Sequence, residues 1–448
     1  MGLAKAVEMC NNNGHCRKFD AEVMCPSYRV TRDEKHLTRG RANTLRLALS
    51  NQLDIKSGST INSSPLASDA IKEVMELCVS CKACRRECPT GVDMAKMKIE
   101  FLSAYKKRVG HSLRDLAVAY LPKYAAIISN TSLLPALLNL RNHITPVAKL
   151  QEWIMGISAQ RSLPAWKSKT FWNQKVAQNY QFTPDQLAQD ANGKGVVLLA
   201  DTFNAYFENE NLIAALKVLK AAGYHVHIPN KGQPKKEKQA DKTGNTCSKE
   251  ICCGRTYLAA GMVDKAKETL SELVDHLAPY AEQNIPIIGL EPSCLFTLKD
   301  EALVMGFGER AITVSKQAQL LEEFLASEAK AGTLKLKLKE ASKPVLFHGH
   351  CHQKSFAAVT PAMELLKLIP KADPKLIESS CCGMAGSFGY EAEHIEVSKQ
   401  MAEASLLPSI RKSPNSWVVA DGTSCRHQIA DGTQREAVHI ARILAAHL

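Results

Sequence analysis

Four cysteines at 78, 81, 84 and 88, the last followed by Pro89, stand at intervals that suit one kind of chemistry in particular. The spacing C-x2-C-x2-C-x3-C-P wraps three thiolates around one iron–sulfur cubane and sends the fourth to a neighbouring cluster. Short intervals fold the backbone around a cluster and aim its N–H groups at sulfur, and the proline then turns the chain away. Zinc is the competing reading, but zinc sites generally pair two such knuckles.

The fourth cysteine requires a second motif, and the N-terminal residues supply a degenerate one in Cys10, Asn13, Cys16 and Cys25-Pro26. Asparagine stands where a cysteine is expected, and eight residues rather than three separate Cys16 from Cys25. Exchanging fourth ligands gives one complete [4Fe-4S] set from Cys78, Cys81, Cys84 and Cys25. The other set holds only Cys10, Cys16 and Cys88. It reads as a three-iron cluster, a four-iron cluster whose last iron takes Asn13, His15 or water, or an empty site. Arg39 and Arg41 follow in TRGRANTLR and are read first as helix-terminal residues, with the charge balance of an anionic cluster as the alternative.

Further downstream the cysteines recur in pairs. ICCGR at 251–255 parallels SCCGM at 380–384, EPSC at 291–294 parallels GTSC at 422–425, and VVLLA at 196–200 parallels PVLFH at 344–348. The interval from Cys253 to Cys294 is 41 residues and that from Cys382 to Cys425 is 43, which implies an internal duplication. The second copy holds Cys351, Cys381, Cys382 and Cys425, with His348, His350 and His352 around the first of these. The first copy holds Cys252, Cys253 and Cys294, and Asp201-Thr202-Phe203 stands where a counterpart of Cys351 would be. Facing each other, the copies could pool seven thiolates around one metal centre or acceptor site; the bland reading is that free cysteine packs as a small hydrophobe. The histidines suit metal ligation, proton relay or strand-end capping equally. Glu291, Asp421 and Arg426 flank the cysteines and are read as hydrogen-bonding to turn backbone.

The elements that must hold these residues follow from periodicity. Helical signals at 39–53 and 69–77, joined by a Ser/Gly/Asn-rich connector at 57–64, predict a small α-helical cluster domain over 1–110. Amphipathic stretches interrupted by Pro122, Pro135, Pro146 and Pro164 predict short helices in a linker over 111–192, with docking on a membrane surface as a second reading. Beyond Gly193, apolar runs alternate with amphipathic helices, such as 210–222, which predicts parallel α/β layers. The fold class expected is therefore α+β multidomain: a ferredoxin-like helical domain, a helical linker, and two α/β Cys-Cys-Gly repeats at 193–335 and 336–448. Ligands collect at the carboxyl ends of such parallel strands, and Gly254 and Gly383 allow close backbone approach there.

Composition sets the frame. A chain of 448 residues with 45% hydrophobic residues can build several cores. Fifteen cysteines in tight groups suggest metal in a reducing compartment rather than disulfides. The start MGLAKAVEMC shows no signal peptide, no stretch suffices for a spanning helix, and a cytoplasmic location is expected, with peripheral contact on the inner membrane face as the variant. Much of the net charge of +12 lies in the polar segment 231–249, read as a solvated insertion that also carries Cys247, so nucleic acid is not expected as a partner.

Taken in order, CNNNGHCRKFD, MCPSYRVTRDEKHLTRGRANTLR, CVSCKACRRECPTGVDMAKMK, LEPSC, HGHCHQK, SSCCGMAGSFGYE and DGTSCRHQI resemble the iron–sulfur half of fused FAD-linked oxidases of the glycolate, D-lactate and D-2-hydroxyglutarate dehydrogenase type. The Cys-Cys-Gly repeats are also similar to those of heterodisulfide reductase and of the anaerobic glycerol-3-phosphate dehydrogenase iron–sulfur subunit. The resemblance implies an oxidoreductase component that passes electrons from a flavin domain to a quinone or other acceptor. No convincing flavin-binding region precedes the first motif, so FAD is expected only on a partner flavoprotein, or the chain is a fragment of a fused protein. The terminal C-x-x-C of heterodisulfide reductase is absent after both Cys294 and Cys425. A reductase with its own Cys-Cys-Gly centre and a non-catalytic metal scaffold are the alternatives; no catalytic residue is assigned.

Overall fold

The computed structural model describes residues 2–20, 22–53, 66–177, 180–189, 193–230 and 251–448. The connector expected at 57–64, the insertion at 231–249 and Cys247 lie outside these residues.

The N-terminal part is helical, and local chemistry explains its boundaries. Pro26 opens the helix Pro26–Thr31 immediately after Cys25, where the missing N–H costs nothing. The helix expected at 39–53 forms as Thr38–Leu49. The next, Asp69–Glu76, is capped by the Ser68 side chain accepting from the Ile71 amide. Helix Met94–Val109 is capped by Asp93 and ends at Gly110, whose φ is +79°. The linker follows as Leu113–Ala119, Leu121–Ser129, Leu134–Asn139 and Thr145–Met155, the last three with proline in the first turn.

Two small parallel sheets come next. One has the order β2-β1-β3-β4, from β1 (Gly195–Leu198), β2 (His225–His227), β3 (Ile287–Gly289) and β4 (Ala318–Leu320). The other has the order β6-β5-β7, from β5 (Val345–His348), β6 (Lys375–Leu376) and β7 (Trp417–Ala420). Val196 faces Val226 across β1 and β2, and Phe347 faces Val419 across β5 and β7. Both faces of β1 and β5 are buried, which explains their unbroken apolar runs. The chain is thus a mixture of helices and small parallel sheets.

The two sheets share one core: Val196 and Leu198 of the first belong to the same apolar cluster as Val345, Phe347 and Val419 of the second. The C-terminal helix Ile440–Ala446 packs on Asn209–Ala221, so the end of the chain closes over the first sheet's helical layer. A separate cluster surrounds the N-terminal cysteines, and it includes Cys351 and Cys381.

Candidate metal centres

Cys25, Cys78, Cys81 and Cys84 line one pocket. Cys78 and Cys81 come from the loop entering helix Ala83–Glu87, in which Ser80 and Lys82 adopt positive φ, and Cys84 from that helix's first turn; Cys25 comes from the turn before Pro26. The Met94 amide donates to Cys84 Sγ at 3.4 Å and Arg41 Nη1 donates to Cys25 Sγ at 3.3 Å. Burial, then the charge of Cys351, pushes the Cys81 thiol well up; burial and Asp93 raise Cys84. Such thiols give up their protons when a metal replaces them. Four thiols around one cavity, donors aimed at sulfur and a buried cation match the charge and hydrogen-bonding needs of an anionic iron–sulfur cluster.

Arg41 overturns the reading of that residue as helix-terminal. It lies within helix Thr38–Leu49, is 1% exposed, and reaches past the backbone into the thiol set. Arg39 points elsewhere: its guanidinium pairs with Glu34 at 2.8 Å, and its charge also acts on Cys16.

Cys10 and Cys16 are both buried; burial first, and then the neighbouring Cys25 and Cys10, push the Cys16 thiol up. Cys88 is half-buried; burial opposes its ionisation, but the Thr90 hydroxyl and the amides of Val92, Thr90 and Gly91 bring the thiol below its ordinary value. Asn13 is exposed, and its side chain is engaged in its own loop, donating to Asn11 and accepting from the His15 amide.

The seven downstream thiols form two sets rather than one. In the second repeat Cys351, Cys381, Cys382 and Cys425 lie close enough to act on one another's ionisation. In the first, Cys253 lies between Cys252 and Cys294, and the Thr202 hydroxyl reaches Cys252 as Cys351 reaches Cys381. The backbones correspond as well. Asp201 and His350 cap helices Thr202–Tyr206 and Cys351–Ser355, and the Gly254 and Gly383 amides donate to Cys252 and Cys381 Sγ at 3.4 and 3.5 Å. Both glycines have positive φ, and a Cβ at either would meet backbone oxygen, of Ala266 at 2.9 Å and of Ser398 at 2.4 Å. Among the described residues no three cysteine sulfurs lie within 4.8 Å of one another, wider than a single zinc ion gathers.

Charge separates the two sets. Hydrogen bonds from neighbouring thiols, then His350 and His348, hold Cys351 and Cys382 well below the usual thiol range. Cys294 accepts from Cys253, yet burial and the carboxylates of Asp201 and Glu291 push it up to about 12. His350 Nδ1 accepts from the His352 amide, which turns Nε2 toward Cys351; His352 Nε2 lies 3.2 Å from the Ser80 carbonyl. Ser355 Oγ lies 2.9 Å from the carbonyl oxygens of both Cys81 and Cys351. The second repeat therefore abuts the first thiol set through one short helix.

Comparison with known proteins fits this arrangement. Residues 6–92 match the 4Fe-4S dicluster domain model and residues 240–299 the cysteine-rich domain model. The chain carries iron–sulfur cluster domains. D-2-hydroxyglutarate dehydrogenase of Escherichia coli (strain K12) is 25% identical over 456 residues, 94% of this chain but 41% of that protein. The C component of anaerobic glycerol-3-phosphate dehydrogenase from the same strain is 27% identical over 345 residues, 75% of this chain and 78% of the relative. The probable glycolate oxidase iron-sulfur subunit of Bacillus subtilis (strain 168) is 22% identical over 460 residues, 94% and 90%. The chain spans less than half the length of the first of these relatives.

Two features of the dicluster domain's surroundings escape motif reading. Lys82, between Cys81 and Cys84, is 1% exposed and pairs with Asp300 at 2.5 Å and Glu301 at 2.6 Å; Lys96 and Arg255 join the same acids. Glu291 accepts from the Thr423 amide, and Glu208 pairs with Arg426, each across the two sheets. The adjacent acids 300 and 301 were the available signal, but a single sequence does not say which cation meets them.

Proposed function

We propose that the chain is the iron–sulfur electron-transfer component of a flavin-dependent 2-hydroxy-acid dehydrogenase. In this reading a flavoprotein partner oxidises the substrate, and a quinone or other acceptor takes the electrons. Iron–sulfur clusters supply one-electron carriers when bound. Cys25, Cys78, Cys81 and Cys84 hold the complete one; Cys10, Cys16 and Cys88 suit a labile second. Domain bounds of 1–110, 111–192, 193–335 and 336–448 and a duplicated Cys-Cys-Gly repeat accompany this proposal. The observation that carries it is the bridge from Cys81 through Ser355 to Cys351, which sets two thiol groups side by side in a shared buried cluster. Residues of that bridge exclude water and fix the separation between the two sets, as electron transfer requires. A heterodisulfide-reductase-like enzyme is not favoured, since the relatives include a component of an anaerobic glycerol-3-phosphate dehydrogenase and the iron-sulfur subunit of a probable glycolate oxidase.

The test is a pull-down of the whole chain from native extract under anaerobic conditions. A flavoprotein that reduces the chain's visible chromophore on adding a 2-hydroxy acid supports the proposal. Reduction of a disulfide by the chain without any flavoprotein would contradict it.

Peripheral membrane contact is supported by one surface. On helices Leu134–Asn139 and Thr145–Met155, Leu137, Leu150, Trp153 and Ile154 stand exposed, with Leu133 beside them; Trp153 is 83% exposed and Leu133 78%. No helix of the described residues is long and apolar enough to cross a membrane. An apolar helical pair with an outward tryptophan suits the lipid headgroup level. Co-sedimentation with anionic vesicles, lost when Leu137→Asp and Trp153→Asp are combined, is the expected result; equal sedimentation of both proteins would exclude this contact.

A further inference from the structure

Arg41 is the largest fully buried side chain of the described residues. Its Nε donates to the Val74 carbonyl at 3.1 Å, Nη1 to Cys25 Sγ at 3.3 Å and Nη2 to Ser27 Oγ at 2.9 Å. None of these partners is a carboxylate. A guanidinium does not shed its charge in a protein, and burying it against neutral groups is strongly unfavourable unless anionic charge faces it. The ionisable sulfurs nearest in effect are Cys25, Cys78 and Cys84, three of the four that line the cavity.

Two neighbouring cations are compensated in ways that Arg41 is not, while the half-buried Lys98 donates to the Glu76 and Cys78 carbonyls and stands near Cys78 as a further cation. Lys82 faces Asp300 and Glu301. Arg39, two residues before Arg41 and nearer Cys16, is tied to Glu34, and its side chain is 27% exposed, so solvent and carboxylate both weaken its field. The complete thiol set therefore has a fixed, dry positive charge; the set of Cys10, Cys16 and Cys88 has the solvated Arg39–Glu34 pair and the half-buried Arg46, whose Nη2 donates to the Cys10 carbonyl at 2.8 Å.

Resting on the assignment of a cluster to Cys25, Cys78, Cys81 and Cys84, we propose that Arg41 is the positioning residue that sets the reduction potential there. Its charge and its hydrogen bond to Cys25 Sγ favour the more negative, reduced state, since charge and hydrogen bonds to sulfur are the protein's controls on cluster potential. Electrons reaching the dicluster domain settle at this set in preference to the Cys10, Cys16 and Cys88 set.

The experiment compares whole-chain wild type, Arg41→Gln, Arg41→Lys and Arg39→Gln, purified anaerobically, by iron content and by redox titration followed in the electron paramagnetic resonance (EPR) spectrum. Arg41→Gln is expected to keep its iron while its reduction equilibrium falls at least tenfold, about 59 mV for one electron. Arg41→Lys recovers most of that loss, and Arg39→Gln shifts far less. An unchanged midpoint in iron-loaded Arg41→Gln overturns the proposal. If Arg41→Gln sheds its iron, Arg41→Lys decides: iron with a near-native midpoint supports a charge role, whereas loss of iron there too makes Arg41 a scaffold residue and overturns it. Failure of the cluster assignment itself would look different, as a wild-type signal that survives Cys84→Ser.

Discussion

In the first cysteine-rich half Thr202 faces Cys252; in the second, Cys351 faces Cys381 from the corresponding position. Asp201 stands at the first set and His348, His350 and Lys354 at the second, while Glu291 acts on Cys294 of the one and Cys425 of the other. One backbone plan thus carries different electrostatics. The halves also meet the dicluster domain differently: the first through the Lys82–Asp300–Glu301 ion pairs, the second through Ser355 and the thiols themselves. The two halves share the turn geometry that brings sulfur to the strand ends, and the side chains around it differ: a charged clamp in one, a thiol contact in the other.

The largest effect that could break this comparison is loss of bound iron. Cys382→Ser is expected to remove a larger share of visible absorbance and iron than Cys253→Ser, because four thiols and two imidazoles favour an anionic cluster and three thiols beside carboxylates do not. Equal losses would erase the distinction. Next is the clamp. Lys82→Met strands Asp300 and Glu301 with fewer buried partners and should cost about 3–5 kcal/mol of stability, read as a lowered denaturant midpoint. A change below about 1 kcal/mol would show that the first half is not held by charge.

A smaller effect concerns the pair that joins the halves. Burial opposes ionisation of Glu208, but Arg426 and its hydrogen bonds win and hold the carboxyl at about 2, below its ordinary 4.5. Its folded value is depressed, so its contribution is complete above about pH 4.5 and fades as pH falls toward 2. The difference corresponds to roughly 3 kcal/mol at most. Glu208→Gln should flatten the acid limb of the stability profile over that window, measured by thermal melts between about pH 2 and 5; an unchanged slope would mean the pair is not formed in solution.

Much of this was legible from residue spacing. The C-x2-C-x2-C-x3-C-P run and the displaced Cys25 are local signals, and the structure places Cys25, Cys78, Cys81 and Cys84 at one cavity. Alternating apolar runs located β1 and β5, each within a residue or two, since strands buried on both faces leave no polar interruption to misread. What stayed hidden depends on contacts remote in sequence. Arg41 looks like any helical arginine until Val74 and Cys25 close around it. Lys82 meets acids more than two hundred residues away. Helix Cys351–Ser355 gives no sign in its own residues that it will rest against Ser80 and Cys81.

The adjacency of the complete thiol set and the second-repeat set is the claim on which the rest depends, and EPR spectroscopy of the fully reduced, iron-loaded chain tests it most directly. Two paramagnetic centres held side by side broaden or split each other's signals. The expected result is spin–spin interaction in the wild type that disappears in Cys382→Ser, with the cubane signal surviving as a simple spectrum, and that persists in Cys253→Ser. Non-interacting signals in the wild type with iron bound at both sets, or loss of the interaction in Cys253→Ser but not in Cys382→Ser, would contradict it.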